Sequence, residues 1–411
     1  MSNIILSRQI YQLINGSRGA PPSGRASGTT GSTRRICIGN NRARKRARNP
    51  SANPQSPRPF GVMKHMSVLI RANLLEMTIL GVILVAATGC PTGIPKRSVN
   101  SMYHLRLGGV DQAVLERGAN ERLPLLLWLH GGPGSAQMPI AHRYNTDLEE
   151  VFIVVHWDQR GAGKSNPKGF DPDTMTLRQF VNDAHELTLY LKKKYQQDRI
   201  YLLGHSWGTK FGLLLARDHS EDYHAFIAVG QVVDPRRAHT VAYRWLREQL
   251  QDHGHVKALK KLDRLGLPPF ENHDTFVDFM GMVDSYGGGM DEGFMQLLWA
   301  ALTSPYYHGL DYFHWLGGAK RGSGPMWESY SDFSAIQQVP RLNLPAYFIS
   351  GSRDMNTPVE LVREYYEALD APFGKRLYII DGAGHAPFLG NPSEFTRILK
   401  EIDFEVRKIP R

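Results

Sequence analysis

The chain has 411 residues, of which 42% are hydrophobic and 21% charged, so it is not a wholly disordered chain, a collagen or a multi-span membrane protein. The formal net charge is +10, but residues 1–62 contain eleven Lys or Arg and no Asp or Glu, which leaves −1 for the rest. The main body is therefore not expected to bind nucleic acid. The two cysteines, Cys37 and Cys90, are too few for a disulfide framework or a cysteine-based metal site.

Residues 1–62 are rich in Gly, Ser, Pro, Asn and Arg and lack a sustained apolar period, which predicts a disordered basic head. The basic run at 42–48 is a candidate nucleic-acid tail, but no aromatic residue interleaves the charges to stack on bases. We therefore interpret the head as a solvated arm, or as upstream sequence that is not part of the working protein.

Residues 63–89 have the features of a signal segment, namely a positively charged start and a short apolar run at 77–88. The run is too short to span a bilayer, and it ends in Ala-Thr-Gly-Cys. This ending resembles the lipobox of bacterial lipoproteins, in which the cysteine is acylated. The sequence thus predicts an exported protein that is lipid-anchored through Cys90, with Met63 as the true start. The alternatives are a plain signal peptide, or a buried apolar segment in a cytoplasmic protein.

Short runs that are apolar on both faces follow, separated by helical patterns at 177–195 and 361–369. Such runs are typical of parallel strands covered by helices. They predict an α/β fold with a mostly parallel central sheet and helices on both faces. The predicted strands are 123–129, 151–157, 200–203, 224–229, 346–350 and 377–380.

Residues 233–340 interrupt this alternation because they look helical and are rich in aromatic residues. We interpret them as a helical cap inserted between two halves of one sheet-containing core, 90–232 and 341–411. The cap aromatics either line an apolar substrate pocket or pack the cap against the sheet.

The motif Gly-His-Ser-Trp-Gly at 204–208 stands between a predicted strand and a predicted helix, as in a nucleophile elbow. Ser206 is therefore the predicted nucleophile. A serine needs a base that a carboxylate orients, in the chain order Ser, acid, His. His385 and Asp354 each follow a predicted strand and fill these roles, and Asp234 is the rival acid.

The glycine loop His-Gly-Gly-Pro-Gly at 130–134 also follows a predicted strand. An acyl-transfer site needs two backbone N–H groups aimed at the developing oxyanion. We expect one from Trp207, directly after the nucleophile, and the other from Gly132. No metal-binding or dinucleotide motif appears, and Gly-Ala-Gly-Lys-Ser at 161–165 lacks the first glycine of a P-loop.

Taken in order, the motifs HGGPG, WDQRGAGKS, GHSWG, GSRD and GAGH resemble the α/β-hydrolase superfamily, and more narrowly the proline iminopeptidase-like serine peptidases, over roughly residues 100–400. The resemblance implies a Ser-His-Asp hydrolase that needs no metal or other cofactor. It also implies a small-molecule or short-peptide substrate from which an N-terminal residue, often proline, is removed. In that family, cap acids hold the substrate amine. Glu328 and Asp332 are candidates for this role from composition alone.

Two alternatives remain open at this point. A carboxylesterase acting on small esters would use the same triad, and a binding protein on an inactive hydrolase fold would not need it. A buried acid in the cap that faces Ser206 would favour a peptide amine as substrate, whereas an all-apolar pocket would favour an ester.

Overall fold

A computed structural model describes residues 98–166 and 170–409. Its centre is an eight-stranded sheet with the strand order β1-β2-β4-β3-β5-β6-β7-β8. The strands β1 and β2 run antiparallel to each other, β2 runs antiparallel to β4, and all other neighbours are parallel. The strands are β1 (Val99–Leu107), β2 (Val110–Gly118), β3 (Leu125–Leu129), β4 (Ile153–Trp157), β5 (Ile200–His205), β6 (Tyr223–Val229), β7 (Ala346–Gly351) and β8 (Lys375–Ile380).

The α-helices of the described residues fall into three groups. Two lie between strands in the first half, seven lie between β6 and β7, and three belong to the second half of the sheet. In chain order they are α1 (Leu177–Tyr195), α2 (Trp207–Asp218), α3 (Pro235–Asp252), α4 (Val256–Leu265), α5 (His273–Ser285), α6 (Phe294–Leu302), α7 (Asp311–Ser323), α8 (Trp327–Ser331), α9 (Ala335–Gln338), α10 (Val359–Ala368), α11 (Pro387–Gly390) and α12 (Pro392–Val406).

The central strands are apolar on both faces because helices cover both faces of the sheet. On β3, Leu125 and Leu127 belong to a core shared with α1, α2 and α10, while Leu126 and Trp128 belong to a second core shared with α12. Two buried cores on either side of a mostly parallel sheet confirm the predicted fold class. The six predicted strands correspond to β3–β8, and the predicted helix 177–195 is α1.

The antiparallel hairpin β1–β2 was not predicted from the sequence. Its second strand buries polar residues that hide the apolar period, although each of these side chains has a partner. Gln112 donates to Asp183 over 2.8 Å, and Arg117 is paired with Glu149 over 2.6 Å. A polar side chain is buried only when its hydrogen bonds are satisfied. The partners of these residues lie in distant segments, so the local pattern predicts exposed positions.

The helices between β6 and β7 carry most of the aromatic residues of the predicted cap. His239, Phe276, Trp327 and Tyr330 pack against one another, with ring centroids 4.6 Å apart for His239 and Phe276. These aromatics therefore stabilise the insertion itself. Trp315 differs, because its indole N–H donates to the carbonyl oxygen of Ala136 over 2.9 Å and its side chain lines the cavity described below.

The predicted head, the signal segment and Cys90 all lie outside the described residues. Lipid anchoring and export accordingly stay predictions. Within the part of the chain that is described, no helix combines the length and the apolar character needed to cross a bilayer.

One buried ion pair connects the loop after β4 to helix α1. The Arg160 guanidinium contacts the Asp183 carboxylate twice, with Nε–Oδ2 and Nη2–Oδ1 distances of 2.9 and 3.0 Å. Both side chains are at most 1% exposed. A buried charge of this kind strongly destabilises the fold when its partner is removed.

We predict that Asp183→Asn lowers the free energy of unfolding by about 3–5 kcal/mol, because it leaves the Arg160 charge buried and uncompensated. The control is Glu394→Gln, which breaks the exposed pair Glu394–Arg397 and should cost less than about 1 kcal/mol. Urea unfolding of both variants measures the difference. Equal losses of unfolding free energy in the two variants would contradict a stabilising role for the buried Arg160–Asp183 pair.

Candidate active site

Three predicted site residues follow three parallel strands at one edge of the sheet. Ser206 follows β5, Asp354 follows β7, and His385 follows β8. Because the carboxyl ends of parallel strands meet at one edge, side chains placed there converge. All three are buried, with at most 3% of each residue exposed.

The backbone of Ser206 has φ 51° and ψ −117°, a conformation that non-glycine residues rarely adopt. Two glycines make this turn possible. A Cβ at Gly208 would lie 2.1 Å from the carbonyl oxygen of Leu129, and a Cβ at Gly204 would lie 2.6 Å from that of Gly208. The first helical turn of α2 therefore packs directly on β3. The result is a serine held in a strained position between strand and helix, as the elbow motif predicts.

The acid and the base are hydrogen-bonded to each other. His385 Nδ1 donates to Asp354 Oδ2 over 2.9 Å. The backbone N–H groups of Asn356 and Thr357 donate to Oδ1 over 2.8 and 2.9 Å, and the Thr357 hydroxyl donates to Oδ2 over 2.6 Å. The carboxylate is thus fully held in place. Its bond to Nδ1 assigns the imidazole tautomer in which Nε2 is the acceptor.

Ser206 and His385 line the same cavity, but the serine hydroxyl is not hydrogen-bonded to His385 Nε2. Nε2 is buried and has no hydrogen-bond partner among the described residues. Catalytic hydrogen bonds are often long in unliganded enzymes and tighten when substrate binds. The site therefore presents a buried acceptor beside a strained serine.

The glycine loop after β3 is fixed by His130. Its Nδ1 lies 2.8 Å from the carbonyl oxygen of Gly131, and its Nε2 lies 3.1 Å from the backbone nitrogen of Gln159. Burial lowers the pKa of His130 to about 4, so the ring is neutral near pH 7 and Nε2 can accept from Gln159. The amide of Gln159 also donates to the His130 carbonyl oxygen over 3.0 Å. The loop after β4 thus supports the glycine loop.

Gly132 has φ +121°, and a Cβ there would lie 2.5 Å from the nitrogen of Gly134. Trp207 is the first residue of α2, where a backbone N–H has no acceptor within the helix. No hydrogen bond is recorded for the N–H group of Gly132 or of Trp207 within the described chain. Gly132 lines the cavity that contains Ser206, and Trp207 directly follows Ser206 in the chain. Their N–H groups are the candidates for an oxyanion site.

The rival acid and one cap acid occupy other places. Asp234 caps helix α3, where its side chain accepts from the backbone N–H of Arg237 over 3.0 Å. Asp332 lies in a separate groove with Arg236 and Trp327, away from the cavity that contains Ser206. The side chain of Glu328 is outside the described part of the structure.

The cavity at Ser206 encloses about 50 Å³. Its polar lining comes from Ser206, His385, Ser135, Gln137 and His205. No Asp or Glu side chain lines it among the described residues. The apolar lining includes Ile140, Met290, Leu297, Trp315, Phe388 and Leu389.

His205 is a site residue that sequence analysis overlooked, because it fills a variable position of the elbow motif. Its Nε2 lies 2.9 Å from the carbonyl oxygen of His385, and the two rings are 5.0 Å apart. Burial lowers the pKa of His205 well below its usual value, so the ring is neutral and Nε2 donates to that carbonyl. His205 therefore supports the main chain of the histidine loop.

One group of metal-ligating side chains is present in the described residues, formed by His185, His219 and Asp222. The two rings stack with centroids 3.6 Å apart and planes 16° apart, so their in-plane lone pairs cannot converge on one ion. Lys192 is already paired with Asp222. This group is better explained as an ion-pair cluster between α1 and the end of α2.

An eight-stranded, mostly parallel sheet with an elbow serine and a strand-end acid and histidine defines an α/β-hydrolase architecture. Comparison with known proteins agrees, because the α/β hydrolase fold family matches residues 124–279. Probable aminopeptidase YbaC of Bacillus subtilis is 31% identical over 308 residues, covering 74% of this chain and 96% of that protein. The chain belongs to the α/β-hydrolase family.

Two further comparisons are consistent with this placement. A proline iminopeptidase of Lactobacillus delbrueckii subsp. bulgaricus is 24% identical over 292 residues, covering 69% of this chain and 90% of that protein. The solved structure of a proline iminopeptidase-related protein from Thermus thermophilus superposes with a TM-score of 0.52 at 20% identity, covering 74% of this chain and 96% of that one. At 20% identity, this structural similarity supports a shared fold only.

The glycine loop gives a direct test. We predict that Gly132→Ala lowers kcat by about 100-fold, because a Cβ displaces the loop from which we expect one oxyanion donor. The control is Gly374→Ala, whose φ of +100° imposes a similar backbone cost but whose Cβ would meet nothing within 4 Å. That variant should lose stability and keep its kcat. Hydrolysis of a p-nitrophenyl ester and thermal unfolding of both variants decide between the outcomes. A fully active Gly132→Ala would contradict the assignment of this loop.

Proposed function

We propose that the protein is a serine hydrolase in which Ser206 is the nucleophile, His385 the general base and acid, and Asp354 the residue that orients the imidazole. The observation that carries this proposal is the 2.9 Å hydrogen bond from His385 Nδ1 to Asp354, at the strand edge where the strained turn presents Ser206. The intact set of three residues argues against a non-catalytic binding protein.

The reaction follows from the positions of the groups. The Ser206 hydroxyl attacks the substrate carbonyl carbon while His385 Nε2 takes its proton, and Asp354 stabilises the imidazolium that forms. The N–H groups of Trp207 and Gly132 bind the oxyanion. The tetrahedral intermediate collapses, and Nε2 returns the proton to the leaving group. Water, activated by the same nitrogen, then hydrolyses the acyl-enzyme and frees Ser206.

For the substrate, we propose an aminopeptidase of proline iminopeptidase type. The support is the 31% identity to a protein named as a probable aminopeptidase, together with a set of relatives named as proline iminopeptidases.

A carboxylesterase is the second candidate, and one observation favours it. The cavity beside Ser206 is mostly apolar, and none of its described lining residues has a carboxylate that could hold a substrate amine. Ester substrates lack that amine and need only an apolar site with an oxyanion hole.

The triad is tested by two matched substitutions of aspartate. We predict that Asp354→Asn lowers kcat by about 10⁴-fold with the fold intact, because the amide favours the wrong imidazole tautomer. Asp234→Asn should change kcat little, since Asp234 caps a helix. Ser206→Ala should leave only residual turnover. A larger loss in Asp234→Asn than in Asp354→Asn would move the acid to the end of β6.

Substrate class is tested with proline p-nitroanilide and its N-acetylated form, which differ only in the free amine. An aminopeptidase should cleave the free form at least about 100-fold faster in kcat/KM, because the site would be built around a charged terminus. p-Nitrophenyl butyrate is the ester comparison. Equal rates on both anilides, with fast ester turnover, would establish the carboxylesterase instead.

A further inference from the structure

The segment between α5 and α6, residues 287–291, contacts the loops of both His385 and Asp354. Its sequence is Gly-Gly-Gly-Met-Asp. It belongs to the insertion between β6 and β7, whereas the two loops follow β8 and β7. We call residues 287–291 the clamp segment.

On the histidine side, three consecutive backbone N–H groups all donate to the clamp segment. Gly384 N–H donates to Asp291 Oδ1, His385 N–H donates to the carbonyl oxygen of Gly289 over 2.8 Å, and Ala386 N–H donates to Asp291 Oδ2 over 3.2 Å. The peptide planes on both sides of His385 are therefore fixed by the cap. Without these acceptors the buried N–H groups would be unsatisfied.

On the acid side, the same segment holds the residues before and after Asp354. Met355 N–H donates to the carbonyl oxygen of Gly288 over 2.8 Å. Arg353 donates to the carbonyl oxygen of Gly287 over 3.2 Å, and its second terminal nitrogen lies 3.5 Å from Asp291 Oδ1. The clamp segment thus bonds to His385 itself and to both chain neighbours of Asp354.

The clamp segment can approach the histidine loop this closely only because glycines stand at the points of contact. A Cβ at Gly384 would lie 2.3 Å from the carbonyl oxygen of Gly289, and a Cβ at Gly390 would lie 2.5 Å from Asp291 Cγ. The Asp291 carboxylate therefore sits over two glycines, and its side chain is only 3% exposed. Burial raises the pKa of Asp291, while its two N–H partners oppose that shift. Burying a carboxylate in this way costs free energy, which its hydrogen bonds to the histidine loop must offset.

We propose that Asp291 is a positioning residue that holds the His385 loop in its productive geometry, so that the cap and the catalytic base are set together. Asp291 touches neither the substrate cavity nor the reacting atoms, and it acts through the main chain of Gly384 and Ala386. This inference rests on the proposed function, because it assumes that His385 is the base. A merely structural role would affect stability alone.

The test is Asp291→Asn in the full chain. The amide keeps the shape but replaces one acceptor oxygen with a donor, so one of the two backbone bonds is lost. We expect kcat to fall by about 10- to 100-fold, as small misplacements of a reacting group do, while KM stays within about threefold because the cavity lining is unchanged. The low-field proton resonance of His385 Nδ1–H should also shift or broaden.

The matched control is Glu292→Gln, which removes a negative charge from the next residue. No hydrogen bond from Glu292 to the histidine loop is recorded in the described structure. This variant should keep the wild-type kcat and the wild-type low-field resonance. A loss equal to that of Asp291→Asn would show that charge near the cap matters, and not the bonds of Asp291, and would overturn the proposal.

A second variant covers the case in which Asp291→Asn does not fold. Gly390→Ala leaves Asp291 in the sequence and displaces its carboxylate by contact, so it should give the same selective loss of kcat. Wild-type kinetics in either folded variant would overturn the inference while leaving the proposed triad in place. If the wild-type protein turns over neither esters nor aminoacyl substrates, the proposed function fails, and the positioning role fails with it.

Discussion

The buried hydrogen bond between His385 Nδ1 and Asp354 Oδ2 is the interaction on which the site depends. A buried carboxylate and imidazole are stable only when their remaining polar atoms are satisfied, and both oxygens of Asp354 accept hydrogen bonds from neighbouring groups. Asn356 and Thr357 hold the acid, and the clamp segment holds the backbone on both sides of the base. Within this pair, His385 Nε2 is the side-chain polar atom that has no hydrogen-bond partner among the described residues, and His385 lines the cavity that contains Ser206.

Close backbone approach is the second constraint, and glycine supplies it. Gly208 lets α2 pack against β3, and Gly204 leaves room for the first turn of α2. Gly132 gives the loop after β3 its conformation, and Gly384 lets the clamp segment reach the histidine loop. In each place a Cβ would lie less than 3 Å from a backbone atom. The strained φ of Ser206 persists because the strand, the helix and these contacts determine it together. Glycines thus allow close backbone contacts at the turn of Ser206, in the loop after β3, and between the histidine loop and the clamp segment.

Much of this could be predicted from the sequence, for identifiable reasons. Strands β3–β8 are continuous apolar runs, and Ser206, Asp354 and His385 each follow one of them in motifs whose geometry is strict. The hairpin β1–β2 was missed because Gln112 and Arg117 are buried with partners from distant segments. The clamp segment was missed because its bonds join residues about 95 positions apart, as for Asp291 and Ala386, and no local pattern records such a pairing. Composition also pointed to Asp332, which the fold places in another groove.

The most direct test of the account is the identity of the residue that a fluorophosphonate modifies, read by tandem mass spectrometry of the digested protein. Such a probe phosphonylates a serine only when a neighbouring base removes its proton. The account predicts a single adduct on the peptide that contains Ser206, and none on that peptide after Asp354→Asn at the same exposure. An adduct on another serine of the folded protein, or no adduct at all, would contradict the proposed nucleophile.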